Sequence, residues 1–326
     1  MKVTVLGAGG WGTALARLLA QGQHSVTLWG HDPAHLEEMK RSGRNARYLP
    51  DVPLPDDWRI EKEILPSIAD AECVVVAVPS KAFREVTRHL AFFRGIVVSV
   101  TKGIEHNTGL TMCGILGVTA RGSKPAALSG PTLAPEVARG IPTACVAASA
   151  DPETAQAVQN LFHRPAFRVY TTVDLAGVEL GGALKNVIAI AAGMCDGLGF
   201  GDNSKAALIT RAIVEVRRLG VACGAQAETF SGLSGLGDLA VTCFSKLSRN
   251  RGLGECLARG EKLQDLLSKT VTVAEGVPTA QSAFQLARKF RVVTPIIDEV
   301  YAMLYEGKNV AEAVRDLTSR DSRAED

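Results

Sequence analysis

An α/β fold, a doubly wound parallel sheet followed by an all-α segment, is predicted by three observations on this chain of 326 residues. Short β-branched runs alternate with helical stretches up to about residue 172. A glycine-rich turn stands between the first run and the first helical stretch. Beyond residue 177 the strand signal disappears while long helical patterns continue. Unbroken apolar strands separated by helices belong in a parallel sheet covered on both faces, since each strand buries both of its sides. The expected division is 1–173 and 174–326.

The predicted strands are "KVTVLG" (2–7), "SVTLWG" (25–30), "CVVVAVP" (73–79), "GIVVSV" (95–100), "PAALSG" (125–130) and "TACVAAS" (143–149), and the strand signal ends in "FRVYTTVDLAG" (167–177). Helices are predicted around Lys185, at 205–220, at 278–290 and at 295–307, with Gly220 and Gly307 where a C-terminal cap belongs. The tail "SRDSRAED" is polar and is expected to fray.

Composition removes several function classes. The formal net charge of +2 gives no broad basic field, which argues against nucleic acid or an anionic membrane as partner. Seven scattered cysteines, none spaced as CxxC, suit free thiols in a reducing cytoplasm better than disulfides or a metal site. The N-terminus enters a strand directly and does not read as a signal peptide, and the apolar run from Val187 to Met194 is too short to span a bilayer. No stable membrane insertion is expected.

"GAGGWG" satisfies G-x-G-x-x-G between a strand and a helix. In that context Gly7 permits the tight turn, Gly9 lets backbone approach a pyrophosphate, and Gly12 lets helix and strand pack closely. The alternative is a glycine-rich turn with no ligand. At the end of the second strand "LWGHDP" offers both signs: His31 beside a 2′-phosphate favours NADP, Asp32 on a ribose hydroxyl favours NAD, and Asp32 can equally cap the helix begun by Pro33. The balance leans slightly to NADPH.

"ELGGALKNVIAIAAGM" (179–194) is apolar on every side yet contains Lys185 and Asn186. A helix with no polar face is buried, and a buried ammonium needs a partner, a shifted pKa or a task. Lys102 follows a strand end in "SVTKGIE", within reach of a ligand or simply exposed. Thr132 in "SGPTLAPE" can cap the next helix or donate to a ligand. Arg249 and Asn250 open a helical stretch as a phosphate receptor or a solvated turn, and Asp238 can hold a lysine or cap a helix. Glu275 in "TVAEG" carries no signal of its own.

Taken in order, "GAGGWGTALA", "LWGHDP", "NARYLPDVPLP", "TKGIE", "SGPT", "VELGGALKNVIAIAAGMCDGLGFGDNSKAALITR", "GLGDLAVTC", "SRNRG" and "EG" closely resemble the NAD(P)-dependent glycerol-3-phosphate dehydrogenases of the bacterial soluble type, over nearly the whole chain. The resemblance implies a Rossmann-like N-terminal domain, a helical substrate domain, and a homodimer. It also implies reversible hydride transfer between a nicotinamide and the C2 carbon shared by dihydroxyacetone phosphate and sn-glycerol 3-phosphate, serving phospholipid synthesis. It makes Lys185 the general acid–base, with Lys102 and Asp238 beside the reacting carbon. Substrate positions would be Lys102, Gly130, Thr132, Lys185, Asn186, Asp238, Ser248, Arg249 and Asn250. Cofactor positions would be Gly10, Trp11, His31, Lys102, Ala134, Arg249, Val273 and Glu275, joining the motif glycines Gly7, Gly9 and Gly12. No metal is implied.

The chain departs from the family pattern at Leu133 and Pro135, where Phe and Lys are common, and at Gly10, where Ser is common. Two rival readings remain at this point. A related hydroxyacid dehydrogenase is disfavoured by "SRNRG", "GGALKN" and "GLGD"; a non-catalytic nucleotide sensor is disfavoured by the presence of Lys185, Asp238 and Lys102 together.

Overall fold

The computed structural model describes residues 1–55, 58–269 and 274–319. Its first half contains β1 (Lys2–Leu6), α1 (Gly10–Gln21), β2 (Ser25–Trp29), α2 (Pro33–Ser42), β3 (Arg44–Asn45), β4 (Leu49–Pro53), β5 (Arg59–Glu61), α3 (Ile64–Ile68), β6 (Cys73–Val76), α4 (Ser80–Arg88) and β7 (Ile96–Ser99). It continues through α5 (Met112–Thr119), β8 (Lys124–Ser129), α6 (Ala134–Ala138), β9 (Thr143–Ala148), α7 (Pro152–Phe162) and β10 (Phe167–Thr172). Eight strands form one sheet in the order β10-β9-β8-β7-β6-β1-β2-β5, and β3 and β4 form a separate antiparallel hairpin.

The doubly wound arrangement is visible in single strands. Val3 and Val5 of β1, and Cys73 and Val75 of β6, enter one apolar layer, while Leu6, Val74 and Val76 enter the layer on the other face. Successive side chains of a strand point to opposite faces, so a strand buried on both sides must be apolar throughout.

The sheet is not wholly parallel: β9 runs antiparallel to β8, whereas every other neighbouring pair is parallel. A parallel return needs a crossover of a dozen or more residues, normally built on a full helix. The link from β8 to β9 holds only the five-residue α6, so the chain turns back alongside the strand it left.

From Leu175 onward the described elements are helical: α8 (Leu175–Gly197), α9 (Asp202–Ala222), α10 (Asp238–Phe244), α11 (Arg249–Ala258), α12 (Leu263–Lys269), α13 (Gly276–Phe290), α14 (Pro295–Tyr305) and α15 (Val310–Thr318). The core of this half is built around α8, in which every residue from Gly177 to Met194 is buried. By length and composition α8 could cross a membrane, but 83% of its most apolar window is buried by the other elements. Asp174 caps it, accepting from the Gly177 N–H at 3.0 Å. Its contact with α11 is so close that a Cβ on Gly193 or Gly254 would strike the opposing backbone.

Gly220 is not a helix cap. It lies inside α9, where the Phe230 ring occupies the space a side chain would need, and the left-handed residue beyond the helix is Gly224. Gly307 does adopt positive φ after α14. Of the polar tail, all but Ser319 lies outside the described residues.

Glu215 of α9 replaces a capping side chain for α14: its carboxylate accepts the N–H of Ile296 at 2.9 and 3.1 Å and of Ile297 at 3.4 Å. Burial pushes its pKa up to about 7 from an ordinary 4.5. Between those values the folded protein holds a proton that the unfolded chain has released, so stability falls as pH rises from 4.5 to 7 and is flat above. The expected loss is about 3 kcal/mol. Urea midpoints measured across this window should fall in the wild type and stay level in Glu215→Gln; parallel curves would refute the assignment.

Candidate active site

The site lies where the carboxyl ends of the strands meet α8, and it begins with the glycine-rich turn between β1 and α1. Gly7 has φ of +129°, and a Cβ there would strike the Ala77 carbonyl. A Cβ on Gly12 would strike the Gly7 carbonyl, so these two glycines are imposed by close packing. Gly9, the N-cap of α1, has open space where its side chain would be. That opening, in front of the unpaired N–H groups of a helix N-terminus, is what a pyrophosphate requires, and the turn therefore fits a dinucleotide. At Gly10 a Cβ would make ordinary contact, 3.5 Å from Tyr48 Cβ and 3.9 Å from Ala134 Cβ, so Gly10, Tyr48 and Ala134 are neighbours. Trp11 is half-buried in the first turn of α1.

His31 is exposed just beyond β2. Asp32 takes the capping role: its Oδ1 accepts from Ala34 N at 3.1 Å and His35 N at 3.2 Å.

The centre of the site is a carboxylate between two lysines. Asp238 Oδ1 accepts from Lys185 Nζ at 2.7 Å, and its Oδ2 accepts from Lys102 Nζ. Lys185 also donates to Thr242 Oγ1 at 2.6 Å, and Lys102 to the Gly130 carbonyl at 3.2 Å. Three segments converge here: Lys102 from beyond β7, Lys185 from the middle of α8, and Asp238 from the first residue of α10, which follows a π-helical turn over Leu233–Gly237. Asp238 thus holds both lysines and makes no cap bond. Gly182 faces this group: a Cβ there would crowd the Ser129 hydroxyl and would stand in ordinary contact with the Lys102 side chain.

Burial in the apolar helix lowers the Lys185 ammonium to about 8, Asp238 opposes that shift, and the charge of Lys102 adds to it. Two of the three ammonium donors of Lys185 are committed to Asp238 and Thr242, which leaves one for a ligand oxygen. Such a group gives and takes a proton near neutral pH.

A second polar cluster lies next to Lys185 on α8. Asn250 Nδ2 donates to Asn186 Oδ1 at 2.9 Å, and Asn250 Oδ1 accepts the Gly276 N–H at 2.9 Å, tying α8, α11 and α13 together. Ser248 is the N-cap of α11, accepting from Arg251 N at 3.2 Å. Arg249, the first residue of α11, is exposed, with Glu275 and Tyr48 as the ionisable groups near it. Glu275 accepts from Ser80 N at 2.9 Å and Ser80 Oγ at 2.5 Å, joining α13 to the start of α4 across the cleft.

The structure thus brings Lys102, Gly130, Lys185 and Asp238 into one hydrogen-bonded group, with Asn186 and Asn250 adjoining. Thr132 does not cap α6, whose N-cap is Leu133. Its hydroxyl donates to the Gly130 carbonyl at 3.1 Å, because the chain must pass one more residue before turning into the helix. Val273 lies outside the described residues. Among the described residues no cluster of His, Cys, Asp and Glu is arranged to hold a metal. Sequence reasoning missed Thr242, although its place one helical turn after Asp238 is a legible signal. It also missed Ser80, Asn45 and Tyr48, which meet the site only through tertiary contacts.

Family models for the N-terminus and C-terminus of NAD-dependent glycerol-3-phosphate dehydrogenase match residues 2–155 and 174–315. The chain belongs to the glycerol-3-phosphate dehydrogenase family. This dehydrogenase is 46% identical over 330 residues to the NAD(P)+ glycerol-3-phosphate dehydrogenase of Fusobacterium nucleatum, covering 100% of the chain and 98% of the relative. It is 48% identical over 332 residues to that of Syntrophotalea carbinolica, covering 100% and 99%. The crystal structure of glycerol-3-phosphate dehydrogenase from Coxiella burnetii superimposes with a TM-score of 0.94 at 35% identity, covering 98% of this chain and 99% of that one. The dehydrogenase is accordingly an oxidoreductase dependent on NAD or NADP, with a Rossmann-like domain followed by a helical one.

Proposed function

We propose that the dehydrogenase reversibly reduces dihydroxyacetone phosphate to sn-glycerol 3-phosphate, with Lys185 as general acid–base, and that its product feeds phospholipid synthesis in the cytoplasm. The observation that carries the reading is Lys185 itself: an ammonium inside an apolar helix, with a pKa of about 8, bonded to Asp238 and Thr242. The nicotinamide, when bound, supplies or accepts the hydride. Lys185 delivers a proton to the C2 oxygen as it becomes an alkoxide and recovers it in reverse, and Lys102 polarises the same oxygen. Asp238 keeps both lysines aimed at that point.

In this reading Gly130, Thr132, Asn186 and Ser248 line the substrate, and Arg249 and Asn250 receive its phosphate at the start of α11, where a guanidinium and helix N–H groups favour a dianion. Gly7, Gly9, Gly10, Trp11, Gly12, His31, Ala134 and Glu275 line the cofactor, with Lys102 and Arg249 reaching both ligands. The division at residues 173 and 174 then separates a dinucleotide-binding domain from a catalytic one.

The direct test is nicotinamide absorbance with purified protein, dihydroxyacetone phosphate, and NADPH or NADH in parallel. Rapid substrate-dependent loss of the reduced cofactor is expected, and no turnover with either would overturn the reading. A homodimer formed through the helical half is expected as well. Light scattering should give twice 34.5 kDa, and a monomeric mass would exclude it.

A further inference from the structure

The hairpin of β3 and β4 has no part in the reaction as described so far, yet it is anchored to the cofactor turn. Asn45 is fully buried, and its Nδ2 donates to the Ala8 carbonyl at 3.0 Å and to Thr13 Oγ1 at 2.8 Å. One side chain thereby grips both the glycine-rich turn and the first helix it opens. Two residues later the exposed Arg47 reaches back to the end of β2, with Nη1 3.4 Å from Asp32 Oδ2 and its guanidinium 5.4 Å from the Tyr48 ring centroid. Tyr48 in turn packs against Gly10 and the start of α1. The hairpin therefore holds a cation at the position where a Rossmann-like domain meets the adenosine ribose.

The ribose acceptor that this corner offers, Asp32, is already engaged by the cap of α2 and by Arg47. Directly after β2 stands Gly30, where a Cβ would already crowd Ala8 and Leu36, so no carboxylate can occupy that place. Asp32 comes later, with one oxygen committed to the cap of α2 and the other facing Arg47. A ribose 2′-hydroxyl would have to share Asp32 Oδ2 with Arg47. A 2′-phosphate would instead offer Arg47 a dianion that matches the guanidinium fork, in exchange for a solvent-exposed pair that contributes little. His31, exposed beside Asp32, supplies a further N–H donor.

We infer that Arg47, held in register by Asn45, is the residue that recognises the 2′-phosphate and makes this dehydrogenase selective for NADPH over NADH, with Asp32 as the internal competitor that Arg47 releases on binding. The inference rests on the NAD(P) dependence of the chain and adds a specificity residue on a segment outside the glycine motif.

The test is cofactor binding, measured by calorimetry on the full-length protein without substrate, using NADPH, NADH, and the fragments 2′-AMP and 5′-AMP. The wild type should bind NADPH at least about tenfold more tightly than NADH, and 2′-AMP more tightly than 5′-AMP. Arg47→Ala should lose at least about tenfold for NADPH and 2′-AMP while NADH stays within about twofold. Asp32→Asn, which keeps an oxygen for the helix cap, should tighten NADPH by removing the competing charge, and it provides an independent reading should Arg47→Ala prove unstable. Equal losses for both dinucleotides in Arg47→Ala would reduce Arg47 to a support for the hairpin and overturn the inference. Equal wild-type affinity for both, or unchanged NADPH binding in Arg47→Ala, would do the same. Binding of neither dinucleotide by the wild type would instead remove the cofactor reading beneath it.

Discussion

Lys185→Met should lower turnover by about three orders of magnitude, the range expected when a general acid–base is removed, while cofactor affinity stays within about threefold. Methionine suits the replacement physically. The site is walled by the apolar residues of α8, and an unbranched side chain of similar length fills the space without adding a charge. Asp238 keeps Lys102 as its partner, so the variant leaves no orphaned carboxylate. The pH dependence gives a sharper reading than the rate. Reduction uses the protonated amine, so kcat/KM for dihydroxyacetone phosphate should fall as pH rises through about 8; oxidation uses the neutral amine and should rise through the same pH. Both slopes should vanish in the variant. Turnover within tenfold of wild type, or a surviving break near pH 8, would remove Lys185 from the proton path.

Asp238→Asn should be the second most damaging change. Its side chain is nearly inaccessible and lies between two ammonium groups, so the isosteric amide leaves two cations close together with no counter-charge. Removing one partner of a buried pair costs about 3 to 5 kcal/mol, and the denaturation midpoint should drop accordingly. Asp238 also opposes the downward shift of Lys185, so its loss should carry the Lys185 pKa further below 8 and enlarge the neutral fraction of the amine at pH 7. Reduction at pH 7 should fall by about two orders of magnitude or more, and oxidation should suffer less. The decisive measurement is the pH profile: a break that stays near 8 would mean that Asp238 does not set the protonation of Lys185, whatever the loss of rate.

Glu215→Gln and Arg47→Ala probe features that no local pattern announces. Glu215 looks like one more surface acid on an amphipathic helix until α14 is set against it. Arg47 sits in "NARYLP" as one of several basic residues, and only the approach of the hairpin to β2 gives it a partner.

The sequence by itself determined what depends on near neighbours along the chain. Alternation of β-branched and helical runs marked β1, β2 and β6 to β9 but not the short β3, β4 and β5, and the glycine spacing marked the turn before α1. The unbroken apolar run around Lys185 marked a buried helix with a costly ammonium in it. Each is legible because pleat, helical period and burial act over a few residues. The family pattern added the names of residues that local signals left open.

Tertiary structure alone decided which distant groups meet. Lys185 and Asp238 are 53 positions apart, Lys102 and Asp238 136, and Ser80 and Glu275 195, and no periodicity records such pairings. It reversed β9, because α6 is too short for a parallel crossover, and it placed Gly220 inside a helix, because the Phe230 ring needed the room. It also moved Thr132 off the helix cap and gave Asp32 that duty at α2. The physical reason is common to all of these. Long-range contacts are set by how whole elements pack, and a side chain such as Asp238 acquires its function only when α8, α10 and the end of β7 bring two lysines to the same carboxylate.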